Sequence, residues 1–98
     1  MNIKKTQNAD TLNIALEGRL DTSTAPELEA ELKTSLDGIS QLVFDMEKLD
    51  YISSAGLRVL LSAHKVMVKK GEMKLTHVNE TVMEIFEVTG FSDILSIE

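Results

Sequence analysis

The 98-residue sequence has no cysteine, no tryptophan and a single proline, and its only aromatics are one Tyr and three Phe. Without cysteine there is neither a disulfide framework nor a thiolate metal site, which suits a reducing compartment. Few aromatics leave no platform on which nucleic-acid bases could stack. Positive charge is also scarce: the net charge is −6, and the ten cationic residues are spread along the chain. Such a surface repels duplex DNA and anionic membranes. Long apolar runs are missing as well; none approaches the roughly 20 residues of a membrane span. Lys4 and Lys5 mimic the charged start of a signal peptide, but no apolar stretch follows them. These absences predict a cytoplasmic protein with no direct contact with nucleic acid or membrane. The length suits one domain, residues 1–98, able to bury about two-thirds of its unfolded surface.

What is present is clear periodicity. In "TLNIALEG", Leu12, Ile14 and Leu16 alternate with Asn13, Ala15 and Glu17, the pattern of a strand with one apolar face. The preceding "NIKKTQ" reads as a partner strand, with Asn8 to Asp10 as the turn. In "DTSTAPELEAELKTSLDG", Ala25, Leu28, Leu32 and Leu36 fall on one helical face. Thr24 and Glu27 have capping-box spacing, Pro26 sits in the first turn, and Gly38 supplies a left-handed stop. "QLVFDM" suits a short strand buried on both faces at Leu42 to Phe44, followed by "EKLDYIS" as a loop. A second helix covers "AGLRVLLSAHKVMVKKG". Leu57, Leu60, Leu61, Met67 and Val68 lie on its apolar side, widened by Val59, Ala63 and Val66. Arg58, Ser62, Lys65 and Lys69 form its polar stripe, and Gly71 ends it. "EMKLTHV" alternates again, with Met73, Leu75 and His77 on one side. Asn79 caps a third helix, in which Val82, Ile85, Phe86 and Thr89 line the apolar face, and Gly90 stops that helix. "DILSIE" closes as a short strand. The order ββαβαβαβ predicts an α/β fold: one mixed, mostly parallel sheet with helices packed on it.

The chemistry-bearing residues cluster in "DYISSAGLRVLL", Asp50 to Leu61. Ser53 and Ser54 stand where a strand hands over to a helix, so each is a candidate N-cap. The same position offers free N–H groups and partial positive charge, and it tolerates an added phosphate. Ala55 and Gly56 present little side chain to obstruct an approaching partner. A nucleophilic serine is disfavoured: the hydrolase elbow needs Gly-x-Ser-x-Gly, and Ile52 occupies the first glycine position. His64 lies ten residues further along the helix, roughly 15 Å away, and His77 has no evident orienting acid. His64 reads as a partly buried packing residue. Two histidines at no ligand spacing make no metal site, and no phosphate-binding glycine loop exists. No catalytic residue, metal or cofactor is therefore expected. Asp21 reads either as a turn residue before the first helix or as part of one surface with Ser54, since parallel neighbouring strands bring their C-terminal ends to one edge.

"GRLDTSTAPEL" (Gly18 to Leu28), "LVFDMEKLDYISSAGLRVLL" (Leu42 to Leu61) and "GEMKLTHVNETVMEIFEVTGFSDIL" (Gly71 to Leu95) together resemble the STAS domain family. They are most similar to the stand-alone bacterial anti-sigma factor antagonists. The resemblance spans nearly the whole chain and implies a single STAS-like domain that is a binding protein, not an enzyme. It implies a partner, an anti-sigma factor with serine kinase activity, whose capture frees a sigma factor. Phosphorylation of the serine matching Ser54 ends that capture, and a PP2C-type phosphatase restores it. By the same resemblance Asp21, Ser53, Ser54, Gly56 and Arg58 belong to the partner-binding surface. Two departures bear on the site. Ser53 stands where many relatives carry Asp, which makes it the second choice for phosphorylation, and Ala55 stands where Ser or Thr is common. Arg58 replaces a common glycine at i+4 from Ser54, within reach of a phosphate there. The other reading the resemblance allows is a STAS binding module in a signalling or transport complex without a sigma-factor partner.

Overall fold

A computed structural model describes residues 1–98. The hairpin read from the sequence opens the fold. Strand β1 (Asn2–Asn8) pairs antiparallel with β2 (Thr11–Leu20) across the two-residue turn Ala9-Asp10. Ala9 takes a left-handed φ of 58° in that turn, as the tight hairpin types require. Beyond it come α1 (Ala25–Ser35), β3 (Gln41–Ile52), α2 (Ser54–Val68), β4 (Glu72–Thr76), α3 (Glu80–Thr89), a 3₁₀ turn at Phe91–Asp93 and β5 (Ser96–Ile97).

The five strands lie side by side in chain order, and β2 to β5 pair in parallel. Every crossover steps the same way across the sheet. Right-handed connections therefore put the helices on one face and leave the other uncovered. The burial pattern agrees. Leu12, Leu42 and Met73 form one buried cross-strand row, and Ile14, Phe44 and Leu75 the next. Asn13, the half-buried Val43 and Lys74 lie on the opposite side. Val43 thus corrects the expectation that this strand is buried on both faces. The core is a single cluster of aliphatic side chains with Phe44 and Phe86, and no polar or charged residue is buried in it.

Strand β3 runs straight through the expected loop "EKLDYIS". Its pairing with β2 shifts between Ala15 and Glu17 and again between Gly18 and Arg19. Each shift fits one extra residue of β3 against β2, the mark of a β-bulge. The inward residues are then Met46, Leu49 and Ile52, all essentially inaccessible. Their spacing of three hides the strand from a period-two reading. Other readings also change. Val66 and Val68 are solvent-facing rather than part of the buried side of α2, and Thr89 is exposed, its hydroxyl donating to the Ile85 carbonyl at 2.6 Å. Gly71 is not a left-handed stop. It is required because a Cβ there would collide with the Ser40 carbonyl group, 1.7 Å from its oxygen. Gly38 and Gly90 do adopt the expected positive φ, 77° and 82°. Asn79 caps α3 as read: its side-chain oxygen accepts the Val82 N–H at 2.8 Å, and its amide donates to the Leu49 carbonyl at 2.7 Å. No helix is long and apolar enough to cross a membrane.

Candidate functional site

The sequence places Asp21 after one strand and Ser53–Ser54 after another; the sheet makes them neighbours. Leu20 and Ile52 are register partners at the C-terminal ends of the parallel strands β2 and β3. The Ser53 N–H donates to the Leu20 carbonyl at 2.9 Å. The start of α2 is thereby stitched to the end of β2, and the β2–α1 turn lies beside it.

The two serines have different jobs. Ser53 is the N-cap, with extended backbone (φ −98°, ψ 176°) and a side-chain oxygen that accepts the Gly56 N–H at 3.4 Å. Its carbonyl accepts the Leu57 N–H at 2.9 Å. Ser54 is the first helical residue and is exposed. The hydroxyl of Ser54 takes part in none of the side-chain hydrogen bonds of the fold. It belongs to the first turn of the helix, where the helix dipole favours negative charge. No acid lies in that first turn to compete for the position. Arg58, one turn on, is exposed as well and engaged in no salt bridge.

Gly56 corrects the reading that it keeps the approach open. It is buried beneath the helix, and a Cβ there would lie 2.7 Å from Leu20 Cγ and 2.8 Å from Ile52 Cγ1. Its job is to let α2 sit directly on the strand ends. The spacing of Gly56, Val59, Leu60, Ala63 and Met67, all buried, marks it as part of the helix's inner face, a signal already present in the sequence.

Asp21 builds the neighbouring turn. Its Oδ1 accepts the Ser23 N–H at 3.0 Å, the Ser23 hydroxyl at 2.7 Å and the Thr24 N–H at 3.2 Å. The hydrogen bond from the Ser23 hydroxyl is the main reason its carboxyl titrates below the ordinary 3.8; the backbone N–H groups of Ser23 and Thr24 add to the effect and partial burial opposes it. The expected capping box is absent. Thr24 makes no side-chain cap to α1; its hydroxyl instead accepts the Asp21 N–H and donates to the Arg19 carbonyl, both at 2.8 Å. Sequence reading missed Arg19 and Tyr51, which are register partners across β2 and β3. The Arg19 guanidinium lies 4.6 Å from the centre of the Tyr51 ring, and its Nε is 3.7 Å from Asp21 Oδ2. The bulges that align them are invisible to simple alternation.

A groove of about 380 Å³ flanks Ser54 between the two helices, with Thr22, Pro26, Ala55, Arg58 and Lys65 among its walls. The surface is open and has no general base on Ser54. His77 does have an acid beside it, contrary to the sequence reading: its Nδ1 is 3.1 Å from Asp45 Oδ1. That pair sits at the end of β4 and does not hydrogen-bond to Ser54. The arrangement suits docking and modification rather than bond cleavage.

Comparison with known proteins bears on the same region. A family model described as "STAS domain" matches residues 2–98. BtrV of Bordetella bronchiseptica, named as a candidate anti-sigma factor antagonist, is 43% identical over 84 residues, which are 84% of this chain and 72% of that protein. The anti-sigma-B factor antagonist of Listeria monocytogenes is 32% identical over 97 residues, 96% of this chain and 84% of its own length. The solved structure of the Bacillus cell fate determinant SpoIIAA in its phosphorylated form superposes with a TM-score of 0.76, covering 99% of this chain and 91% of that one at 18% identity. That last likeness is one of fold.

Proposed function

Since the chain belongs to the STAS domain family, we propose that it is a cytoplasmic anti-sigma factor antagonist switched by phosphorylation of Ser54. The unmodified chain binds an anti-sigma factor that carries serine kinase activity, and so frees a sigma factor. Binding uses the surface built by Asp21, Ser53, Ser54 and Arg58, with Gly56 seating the helix beneath it. The protein acts by binding, as its relatives named antagonists do. One observation carries the reading: of the two serines, Ser54 is exposed with a free hydroxyl, while Ser53 is half-buried and engaged as the cap.

The physics of the switch is local. Phosphate adds about 1.5 to 2 negative charges and three acceptor oxygens. At the N-terminus of α2 these meet free N–H groups and leave the helix intact. Arg58, at i+4, is placed to pair with the phosphate. Within a closed interface the same charge and its hydration shell would have to be buried, which favours release. A PP2C-type phosphatase returns the chain to its binding form.

The test is peptide mass spectrometry after incubation with ATP and the kinase partner from the same organism. A single phosphate on Ser54, lost in Ser54→Ala, supports the reading. Ser54→Ala should still bind the partner, and Ser54→Glu should bind it weakly. Phosphate on Ser53 would move the site. No phosphate with any cognate kinase would leave an unswitched STAS binding module.

A further inference from the structure

We propose that Asp45, Glu47 and His77 form a binding site for a divalent zinc-type metal ion, away from the Ser54 surface. Asp45 and Glu47 are two apart on β3 and share the sheet face that carries no helix. His77 arrives from the next strand. Asp45 is the register partner of Thr76, the last residue of β4, so His77 lies one step beyond that pair. Continued as a strand, it would follow Met73 and Leu75 to the helix side. Instead its backbone turns left-handed, with φ 56°, and the ring comes to Asp45.

The donor atoms are already gathered. His77 Nδ1 and Asp45 Oδ1 are 3.1 Å apart, and one ligand atom from each of the three residues lies within 4.8 Å of the others. Ligand atoms around a tetrahedral zinc at its usual 2.0–2.2 Å bond lengths are roughly 3.3 Å apart. The His–Asp pair meets that spacing as it stands. Glu47 is exposed, and its carboxylate lies within 4.8 Å of the other two ligand atoms. Neither carboxylate is neutralised by Lys or Arg. Lys4 and Lys48 border the depression of about 250 Å³ beside Asp45 and Glu47 without pairing with them. One imidazole with two carboxylates favours zinc and its transition-metal neighbours over calcium or magnesium, which prefer oxygen alone. Three protein ligands on an open face leave the remaining coordination to water or to a group from a partner.

The experiment is calorimetric titration of the full chain with zinc chloride in a non-chelating buffer, with the imidazole resonances followed by NMR. One saturable site should appear, and the His77 ring should shift on binding. His77→Asn, chosen because Asn tolerates the left-handed backbone, should weaken binding about tenfold or more, and Glu47→Gln by a smaller factor. His64→Asn should leave the affinity unchanged. No saturation below about 1 mM, equal affinity in His77→Asn and the parent chain, or loss in His64→Asn would each overturn the assignment. None of these outcomes depends on a kinase or an anti-sigma factor.

Discussion

Two adjacent serines of the same chemistry are separated by a single helical position. Ser53 spends its oxygen on the Gly56 N–H; Ser54 keeps its hydroxyl free. Replacing Ser53 with Ala should therefore cost stability, about 0.5 to 1 kcal/mol for a cap this long, read from urea unfolding, and leave a phosphorylatable Ser54. Ser54→Ala should leave the urea midpoint nearly unchanged and remove the phosphate acceptor. Asp21 makes a second prediction at this scale. Its carboxyl titrates lower in the folded chain than the ordinary 3.8. Stability from its hydrogen bonds is therefore fully present above that value and fades as pH falls below it, through the folded pKa. Asp21→Asn keeps an acceptor oxygen but has no proton to gain. Its stability should fall below the parent's near neutrality and lose less on going below pH 4, so that the two converge in acid, as measured by parallel unfolding curves. A steeper acid loss in the Asn variant would refute that role.

The elements show where local pattern was a sufficient guide. Alternation in β2 and the Asn79 cap of α3 were legible because each depends on neighbours in sequence. The second half of β3 was not, since its bulges turn the inward spacing from two to three at Met46, Leu49 and Ile52. The start of α1 departs for a different reason: the Thr24 hydroxyl is taken by the Asp21 N–H and the Arg19 carbonyl, and the Glu27 N–H bonds to the Thr24 carbonyl instead. His77 was expected on the apolar side because nothing local announces its left-handed turn. The placement of Asp21 and Ser54 at one edge of the sheet was legible from topology, and the burial of Gly56 from helical spacing, while its close approach to Leu20 and Ile52 needed the strand ends beneath it. At this scale Gly56→Ala should lower stability by about 1 to 3 kcal/mol, because the new methyl would press on Leu20 and Ile52. Asn79→Ala loses the Val82 cap and strands the partly buried Leu49 carbonyl. A cost of about 1 to 2 kcal/mol is expected, checked by urea denaturation.

Across the whole molecule, the sheet runs β1 to β5 without reversing direction. No topological switch point opens a crevice at the strand ends, the usual ligand site of such sheets. What the strand ends carry instead is an open surface, with Ser54 on its helix and Asp21 in its adjoining turn. The core beneath is apolar throughout, and Ser54 lies exposed outside it, so charge added there is expected to leave the fold intact. We propose that this added charge decides partner binding. The direct measurement is the affinity of one cognate anti-sigma factor for the unmodified chain and for the same chain carrying phosphoserine at position 54, both confirmed folded. Phosphate is expected to weaken binding about tenfold, some 1.4 kcal/mol, or more. Equal affinity of the two forms would contradict it.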